Sequence, residues 1–471
     1  MKFPIGGTAR EPQGMIRCDS GADSIVWMEE DRKNFFCGCF ISSEMVSFQS
    51  FSVFSVQPER NALADAAAAG ERSRSGGGSD GAFYFRQAGG KTVTDQECMA
   101  RAIELAKRGR GWTNPNPLVG AVIAKEGRII GEGWHARCGE LHAERNAIRA
   151  LTERAEGATL YVTLEPCCHY GRTPPCTDAI LEQKIARVVI GSGDPNPKVS
   201  GKGAAILRRA GVQVEEGFMR DACDRLNPVF FHYITTGNPY VIMKYAMTAD
   251  GKIAARTGDS KWITGEASRR RVQELRWNCM GIMAGIGTVL ADDPLLTVRE
   301  EGRRNPIRII CDSRLRLPPD SRLCRSAEQY PVIAACSAEI LEREDGCRKR
   351  KQILEGLGVK VLPVPDSPRH VNLPALMELL GREKIDSILL EGGGDLNSSA
   401  LRSGIIQEIR EFIAPKIFGG GCRTPVEGEG VDHPGEAVLL EMTETEKIEQ
   451  DLLITWRVRS SGKEKECLQE L

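Results

Sequence analysis

One stretch of the 471-residue chain constrains its fold and chemistry more than any other. His142 and Glu144 open an amphipathic segment, and the apolar residues 158–164 follow and run into a Glu-Pro-Cys sequence that ends at Cys167. Cys176 comes nine positions later. Thiolates and imidazole are ligands that zinc prefers, and a catalytic zinc keeps three protein ligands so that water can take the fourth position. We therefore predict that His142, Cys167 and Cys176 hold a catalytic zinc ion.

The order of these residues is that of the H-x-E…P-C…C pattern of zinc-dependent deaminases of amino-substituted heterocycles. In such a site the zinc-bound water attacks the amino-bearing ring carbon, and a carboxylate carries its proton to the leaving amine. Glu144 is the predicted proton carrier and is not a ligand. Pro166 suits the first turn of a helix, whose N–H groups would favour a Cys167 thiolate.

Two rival functions use the same residues. A nucleoside or transfer-RNA deaminase with an accessory domain is one, but the wide cysteine spacing departs from the usual P-C-x-x-C. The net charge of −1 also gives no overall basic field for a nucleic acid. The other rival is a module that binds structural zinc, which needs a fourth protein ligand. Cys168 and His169 are the nearby candidates for that ligand.

Length and composition favour an enzyme of two or three domains. The 16 cysteines are scattered and no signal peptide is recognised, so they are interpreted as reduced thiols and metal ligands. No uninterrupted apolar run reaches the roughly 18 residues of a membrane span. We expect a cytoplasmic protein that acts on a small molecule, without nucleic-acid or membrane partners.

Residues 1–92 differ in composition from the rest of the chain. A Phe- and Ser-rich part leads into a Gly- and Ser-rich part that is typical of flexible linkers. We expect an extension that is mostly disordered, or one that results from too early a choice of start codon. Val93 stands where a non-standard initiator could be read. A protein that begins at Val93 should then fold, bind zinc and be as active as the full chain, and loss of folding or activity would refute this.

Residues 93–220 show alternating helix and strand patterns. Thr94-Asp-Gln-Glu97 resembles a capping box, and Met99, Ala102, Ile103 and Ala106 form the apolar stripe of a helix that ends near Gly109. Strands are predicted at 118–125, 128–134, 158–165 and 188–190, with helices between them. The pattern predicts an α/β sandwich with a mixed sheet, and a site at strand ends and helix N-termini.

Three motifs carry a resemblance to a known family. They are Thr113-Asn-Pro-Asn-Pro-Leu-Val-Gly120, His142-Ala-Glu144 and Thr163-Leu-Glu-Pro-Cys-Cys-His-Tyr-Gly-Arg-Thr-Pro-Pro-Cys176. Together they resemble the bifunctional riboflavin-biosynthesis deaminase/reductase, over roughly residues 94–458. The resemblance implies a cytidine-deaminase-like α/β/α domain that removes an amino group from a diaminopyrimidinone ribosylamine 5-phosphate. It places four residues at the substrate: Asn116, His135, His169 and Arg172.

The resemblance continues after a connector at 221–238. The segment Tyr240-Val-Ile-Met-Lys244 and the following Ala246-Met-Thr-Ala-Asp-Gly-Lys252 resemble the opening of a dihydrofolate-reductase-like domain at 239–460. The family usually has Ser-Leu before this Asp-Gly, where this chain has Thr248-Ala249, which keeps a hydroxyl group. Residues 461–471 are interpreted as a charged tail.

Further stretches of the second domain match the family in order. The resemblance places at the nucleotide site Ala246, Trp262, Thr288, Asp292 and Ser313. It places at the substrate site Ser260, Arg276, Leu296, Arg299 and Glu391. The two arginines suit a sugar phosphate, because guanidinium groups bind phosphate in a bidentate way.

A triple glycine follows a short apolar strand near residue 390. The strand-glycine-helix order lets backbone N–H groups meet a pyrophosphate. The predicted cofactor contacts there are Gly393, Gly394, Asp395, Leu396, Asn397, Ser398 and Ser399. By resemblance we expect NADPH as the reductant. Arg314 or Arg316, just after a predicted strand at 307–311, would bind its 2′-phosphate. We also expect a homo-oligomer.

Overall fold

A computed structural model of the chain describes residues 26–31, 34–41, 44–45, 92–170, 174–367 and 370–459. Residues 1–87 and residues 88–471 are two compact units. The second unit contains both predicted catalytic domains. In the described ranges, no helix combines the length and the apolar character needed to cross a membrane.

The first unit contains an antiparallel three-stranded sheet in the order β1-β2-β3. Its strands are β1 (Val26–Asp31), β2 (Asn34–Ile41) and β3 (Glu44–Met45). They lie in the segment for which the composition predicts mostly disorder. The aromatic and β-branched residues of β1 and β2 favour extended backbone. The other residues before 92 lie outside the described ranges, and the expectation for them stays a prediction.

The first catalytic domain is built on a mixed five-stranded sheet in the order β5-β4-β6-β7-β8. β4 is antiparallel to β5 and β6, whereas β6, β7 and β8 are parallel. The strands are β4 (Gly120–Lys125), β5 (Arg128–Trp134), β6 (Thr159–Leu164), β7 (Arg187–Ser192) and β8 (Gln213–Glu216). The helices are α1 (Asp95–Lys107), α2 (Ala143–Arg149), α3 (Cys176–Glu182) and α4 (Lys202–Arg209).

The start of α1 confirms the predicted capping box. The Thr94 hydroxyl accepts a hydrogen bond from the Glu97 N–H at 3.2 Å, and the Glu97 carboxylate accepts one from the Thr94 N–H at 2.9 Å. The predicted stripe of α1 is buried against the sheet in one core cluster. A second core cluster covers the other face of the same sheet with residues of α2, α3 and α4. The predicted sandwich with a mixed sheet is confirmed.

Two helices, α5 (Arg220–Asp224) and α6 (Pro228–Thr236), form the connector.

The second catalytic domain has a nine-stranded sheet in the order β13-β12-β11-β10-β14-β9-β15-β17-β16. Adjacent strands are parallel from β13 to β15, whereas β17 pairs antiparallel with β15 and β16. The strands are β9 (Tyr240–Thr248), β10 (Gly281–Gly285), β11 (Ile307–Cys311), β12 (Val332–Ser337), β13 (Val359–Val364), β14 (Ser387–Leu390), β15 (Glu408–Ala414), β16 (Leu440–Ile448) and β17 (Asp451–Val458).

Helices connect most of the parallel strands of this sheet. They are α7 (Glu266–Asn278), α8 (Ile286–Asp292), α9 (Arg322–Arg325), α10 (Ala338–Arg343), α11 (Asp345–Gly356), α12 (Leu373–Arg382) and α13 (Gly394–Arg402), with a short 3₁₀ turn at Pro434–Glu436. The central strands β10, β14 and β9 are parallel, so their carboxyl ends meet at one edge of the sheet. In open α/β sheets this edge is where ligands bind.

Candidate active sites

Three donor atoms meet beyond the carboxyl end of β6. His142 is the N-cap of α2, Cys167 lies in the loop after β6, and Cys176 is the first residue of α3. The Nδ1 atom of His142 lies 3.4 Å from each of the two sulfur atoms. All three donor atoms lie within 4.8 Å of one another. A zinc ion about 2.3 Å from each sulfur and about 2.0 Å from the nitrogen suits these separations, so the donor set fits zinc.

The thiol of Cys167 is acidic in this arrangement. A hydrogen bond from the Cys176 thiol is the largest cause, and together with His142 and the Cys176 N–H it outweighs burial and lowers the pKa of Cys167 to about 4. The same thiol–thiol hydrogen bond and burial raise the pKa of Cys176. The cluster therefore favours one thiolate before a metal ion adds its charge.

The expectation that Pro166 begins a helix is wrong. Residues 165–170 form a loop, and the helix begins at Cys176 after Pro175. The fixed φ of proline suits extended segments as well as a first helical turn, so Pro166 alone could not decide between them. The predicted N–H contact to Cys167 exists, but it comes from α3: the Cys176 N–H lies 3.4 Å from the Cys167 sulfur.

Glu144 lies in the first turn of α2, and its side chain is buried with 3% exposure. Burial is the main cause that raises the pKa of its carboxyl group, and the charge of Cys167 adds to this while His142 opposes it. A raised pKa makes a carboxyl group hold a proton more readily than an exposed one, which suits a group that carries protons during a reaction. Within the described ranges, the group of residues with metal-ligand spacing does not include Glu144.

Neither candidate for a fourth ligand joins the cluster. The Cys168 sulfur lies 3.7 Å from the backbone oxygen of Lys198, and His169 is exposed. The cluster found in the described part of the chain has three protein ligands. Structural zinc sites are closed by four ligands, whereas catalytic sites keep one position open. The geometry therefore favours catalytic zinc over the structural-zinc alternative.

A buried histidine lies beside the cluster. His135 is 2% exposed, and its ring centroid is 5.5 Å from that of His142. Its Nδ1 lies 3.0 Å from the backbone oxygen of Leu141, and its Nε2 lies 3.1 Å from the amide nitrogen of Asn116. A backbone oxygen only accepts, so His135 carries its proton on Nδ1 and accepts from Asn116. Burial lowers the pKa of His135, which keeps the ring neutral.

Two further substrate residues are predicted in this domain, His169 and Arg172. His169 follows Cys168 in the loop after β6 and is exposed. Arg172 lies in the gap at 171–173, outside the described residues, so its predicted role stays a prediction.

A cleft of about 620 Å³ opens at the carboxyl ends of β9, β10 and β14. The predicted nucleotide residues that line it are Ala246, Trp262, Thr288, Asp292, Gly393, Gly394, Asp395 and Leu396. The predicted substrate residues that line it are Ser260, Arg276, Arg299 and Glu391. Segments that are up to 150 positions apart in the sequence therefore meet at one edge of the sheet, which supports their joint assignment.

Five predicted residues do not line this cleft: Ser313, Leu296, Asn397, Ser398 and Ser399. The last three lie further along α13, and side chains of one helix point in different directions, so only its first turn faces the cleft. The Asn397 amide donates to the Pro425 oxygen at 2.8 Å, and the Ser399 hydroxyl donates to the Asp395 oxygen at 2.9 Å. Leu296 is buried in a core cluster. Arg314 and Arg316 also lie outside the lining.

An ion pair forms the floor of the cleft. Arg276 donates two hydrogen bonds to the Glu391 carboxylate, at 2.7 and 3.0 Å, and a third to the Thr297 oxygen at 3.1 Å. Burial works to raise the pKa of Glu391, but Arg276 and Lys244 outweigh it and hold the pKa at about 2. The Nε and Nη2 atoms of Arg276 are thus both hydrogen-bonded to Glu391. The predicted contact of Arg276 with phosphate would have to use the guanidinium N–H groups that Glu391 and Thr297 leave free, and it stays a prediction.

Thr248-Ala249 stands where the family usually has Ser-Leu, and Thr248 still places a hydroxyl group in this turn. Thr248 is fully buried, and its hydroxyl donates to the Asp250 carboxylate at 2.5 Å and accepts from the Lys252 N–H at 3.0 Å. The same carboxylate accepts the Gly419 N–H at 2.7 Å. A threonine therefore supports this turn through the same kind of contact that a serine could make.

Comparison with known proteins agrees with both sites. Residues 92–192 match the model of the cytidine and deoxycytidylate deaminase zinc-binding region, and residues 239–454 match that of the RibD C-terminal domain. A riboflavin biosynthesis protein RibD from Actinobacillus pleuropneumoniae is 52% identical over 79% of this chain and 97% of its own length. The chain belongs to the RibD family. RibD proteins act in riboflavin biosynthesis as deaminase and reductase, with zinc and NADPH as cofactors, so this protein is a bifunctional enzyme.

Solved RibD structures share the fold. Acinetobacter baumannii RibD has a TM-score of 0.70 at 38% identity, over 78% of this chain and 99% of its own. A Thermotoga maritima deaminase/reductase has a TM-score of 0.68 at 38% identity, over 77% of this chain and 98% of its own. The expected two-domain RibD architecture is confirmed. The remaining rival, a deaminase of nucleosides or transfer RNA, does not explain a RibD C-terminal domain.

Sequence reasoning missed several polar residues of the RibD reductase cleft. Lys244, Arg269, Arg423 and Glu427 line it. Burial is the main cause that lowers the pKa of Lys244, while Glu391 opposes this. A lysine that ends the apolar run of a central strand was a visible signal for Lys244. The other residues lie in loops or on α7, and no comparable signal marks them.

The Arg276–Glu391 pair leads to a stability prediction. The pKa of Glu391 is lowered from 4.5 to about 2 by folding, so its contribution is complete above pH 4.5 and is lost as the pH falls towards 2. Glu391→Gln should destabilise the protein at pH 7 by about 3–5 kcal/mol, because Arg276 and Lys244 lose their buried partner. Denaturant unfolding from pH 7 to pH 3 tests this. Equal stability of wild type and variant at pH 7 would contradict it.

Proposed function

We propose that the protein deaminates 2,5-diamino-6-(5-phosphoribosylamino)pyrimidin-4-one and then reduces the ribosyl group to a ribityl chain. The product would be 5-amino-6-(5-phosphoribitylamino)uracil. The observation that carries the first step is the three-ligand cluster with the buried Glu144 beside it. The Thermotoga maritima relative is named for the same pair of activities. Assays of both steps with the purified protein test the proposal.

In the deaminase site we assign His142, Cys167 and Cys176 as zinc ligands. Zinc bound there would supply an activated water molecule for attack on the amino-bearing carbon. Glu144 would carry one proton of that water to the ring nitrogen. It would then carry the second proton, from the hydroxyl group added to the ring carbon, to the amine, which leaves as ammonia when the C–N bond breaks and the C=O bond forms. Its burial supports this assignment, because it keeps bulk water away from the carboxyl group and raises its pKa.

The substrate would lie between the zinc ligands and the Asn116–His135 pair. Asn116 donates one amide hydrogen to His135, which leaves its amide oxygen and second hydrogen for the substrate ring. His135 is neutral and fixed in one tautomer, so it would orient Asn116 and shape the wall of the site. We assign His169 and Arg172 to the ribose phosphate, since both side chains can bear positive charge.

In the reductase site the glycine-rich start of α13 would bind the cofactor phosphates, because Gly393 and Gly394 line the cleft at the N-terminus of this helix, where backbone N–H groups lack helical partners. Ala246, Trp262, Thr288 and Asp292 would contact the rest of the cofactor, which supplies the hydride. Arg299 is exposed on the cleft wall and would bind the substrate phosphate, since Arg276 is held by Glu391.

NADPH should be preferred to NADH, and Arg314 and Arg316 are the proposed contacts of its 2′-phosphate. Both are exposed beyond the end of β11, and Arg316 lies 3.8 Å from the Asp312 carboxylate. Replacing both with alanine should lower kcat/KM for NADPH about tenfold or more and leave NADH turnover nearly unchanged.

The matched control for this prediction is Arg343→Ala, which removes an arginine that is 79% exposed on α10. Steady-state kinetics with both cofactors decide the outcome. Equal kcat/KM for NADPH and NADH in the wild type would refute the preference. Unchanged discrimination in the double variant would refute the arginine contacts alone.

We also propose that the protein is a cytoplasmic homo-oligomer. β16 is the edge strand of the nine-stranded sheet, and exposed apolar side chains lie on it and just before it. Leu439 is 62% exposed, Leu440 is 38% exposed and Met442 is 59% exposed. Apolar side chains gathered at an open edge favour association between copies. Sedimentation of wild type and Met442→Lys tests this, and a monomeric wild type would refute it.

A further inference from the structure

One loop of the deaminase domain contacts both the zinc site and the reductase domain. Residues 109–118 connect α1 to β4 and contain Asn116. Asn116 donates to His135, whose ring packs against that of the zinc ligand His142. A shift of this loop would therefore displace the Asn116 amide from its place beside the zinc cluster.

A hydrogen bond ties this loop to the reductase domain. The Asn114 amide donates to the Asp386 carboxylate at 2.7 Å, across 272 positions of sequence. Asp386 is 1% exposed, and its other carboxylate oxygen accepts the Ser387 hydroxyl. Its backbone oxygen accepts the Tyr240 N–H of β9 at 2.8 Å. Asp386 is therefore held within the central sheet of the reductase domain and gives the loop a fixed anchor.

A second contact holds the same loop. Gly111 has a φ of +73°, and a Cβ atom there would lie 2.5 Å from the ring of Trp277. The ring of Trp112 packs edge-on against Trp277, with 6.2 Å between the centroids. Trp277 lies on α7, directly after Arg276. The loop thus contacts α7 and Asp386, which directly precedes β14, and these two elements lead to the Arg276–Glu391 pair.

The hydrogen bond matters because packing alone leaves space around the loop. A cavity of about 200 Å³ lies beside it, and its lining includes Asn114, Asn116 and Asp386. Side chains next to such a cavity lack part of the contact that fixes a packed core. Burial raises the pKa of Asp386, while the hydrogen bonds from Ser387 and Asn114 act in the opposite direction. The bond between Asn114 and Asp386 is short, and hydrogen bonds are directional, so it fixes the orientation of the two side chains. The Asn114–Asp386 bond can therefore set the position of the loop.

We propose that Asp386, a residue of the reductase domain, is a positioning residue for the deaminase reaction. It holds Asn114 in place. Because Asn116 lies two residues further along the same loop, Asp386 thereby fixes the position of the Asn116 amide, which orients the substrate. This rests on the proposed contact of Asn116 with substrate. The reductase domain thus completes the deaminase site, although it contributes no atom to the zinc cluster.

Exchanging the donor and the acceptor tests the proposal. Asn114→Asp places two carboxyl groups against each other, so KM for deamination should rise about tenfold or more, with a smaller fall in kcat because zinc and Glu144 are untouched. Adding Asp386→Asn restores the hydrogen bond in the opposite direction and should return KM to within about threefold of wild type. Asn114→Ala, a milder variant, should also raise KM, but Asp386→Asn should not rescue it.

Zinc content and reduction of supplied deaminated intermediate are measured in every variant, and both should stay close to wild type. Unchanged KM in Asn114→Asp and Asn114→Ala would overturn the proposal. A loss that the double exchange does not recover would also overturn it, since it would indicate general damage to folding. If the wild type itself fails to deaminate the diaminopyrimidine phosphate, the proposed function fails, which is a different result from active but unaffected variants.

Discussion

Glu144→Gln should reduce the rate of deamination by about 10²–10⁴-fold while zinc stays bound, the range by which proton transfer from a positioned side chain accelerates reactions. Glutamine keeps the shape of the side chain but cannot carry a proton. Glu144 is buried beside the cluster and is not one of its three donors. Ammonia release at saturating substrate, with zinc measured in the same sample, gives the two quantities.

The reductase activity of Glu144→Gln is the internal control. Glu144 lies on α2, and the cleft at the ends of β9, β10 and β14 includes no residue of that helix. Reduction of supplied deaminated intermediate should therefore stay near the wild-type rate. Deamination within a few-fold of wild type would show that another group carries the proton. A matching loss of reduction would show that the two sites are coupled through α2.

Cys176→Ala should abolish deamination by removing the zinc ion, and Cys167→Ala should do the same. Two remaining donors hold zinc poorly, because each ligand contributes much of the binding free energy. Cys176 is fully buried at the start of α3, so a side chain on the surface cannot easily take its place as a zinc ligand. Metal analysis after dialysis, together with ammonia release, measures both losses.

Cys168→Ala is the matched control for these variants. Cys168 adjoins Cys167 in sequence, but its sulfur lies 3.7 Å from the Lys198 oxygen and outside the donor cluster. This variant should keep its zinc and most of its activity. Full zinc occupancy and normal deamination in Cys176→Ala, or zinc loss in Cys168→Ala equal to that in Cys176→Ala, would contradict the ligand assignment.

The deaminase site could be predicted from sequence because its residues come in a short, ordered series. His142 and Glu144 share one turn, and the two cysteines flank one loop, so their spacing reports their chemistry directly. The start of the helix could not be placed in the same way. Proline suits both extended chain and a first helical turn, and the structure begins the helix after Pro175 instead of at Pro166.

The reductase cleft was less accessible to sequence reasoning because distant strands assemble it. The order of the family motifs along the chain located Arg276 and Glu391. Their bidentate pairing across 115 positions, which decides what each side chain can bind, has no signal in the sequence. The same limit applies to the link from Asn114 to Asp386. Neither residue has a sequence signal for its partner, since pairing between domains depends on how the two sheets pack within one compact unit.

The central claim is that one chain deaminates a pyrimidine ribosylamine phosphate and then reduces the deaminated product. The direct measurement is to incubate the purified zinc-loaded protein with the diaminopyrimidinone ribosylamine phosphate, with and without NADPH, and to follow ammonia and NADPH together. We predict ammonia release without NADPH, and consumption of one NADPH per ammonia when NADPH is present. Glu144→Gln should prevent both changes, since the second step needs the product of the first. Absence of ammonia release from the wild type, or NADPH consumption by Glu144→Gln without prior deamination, would contradict the account.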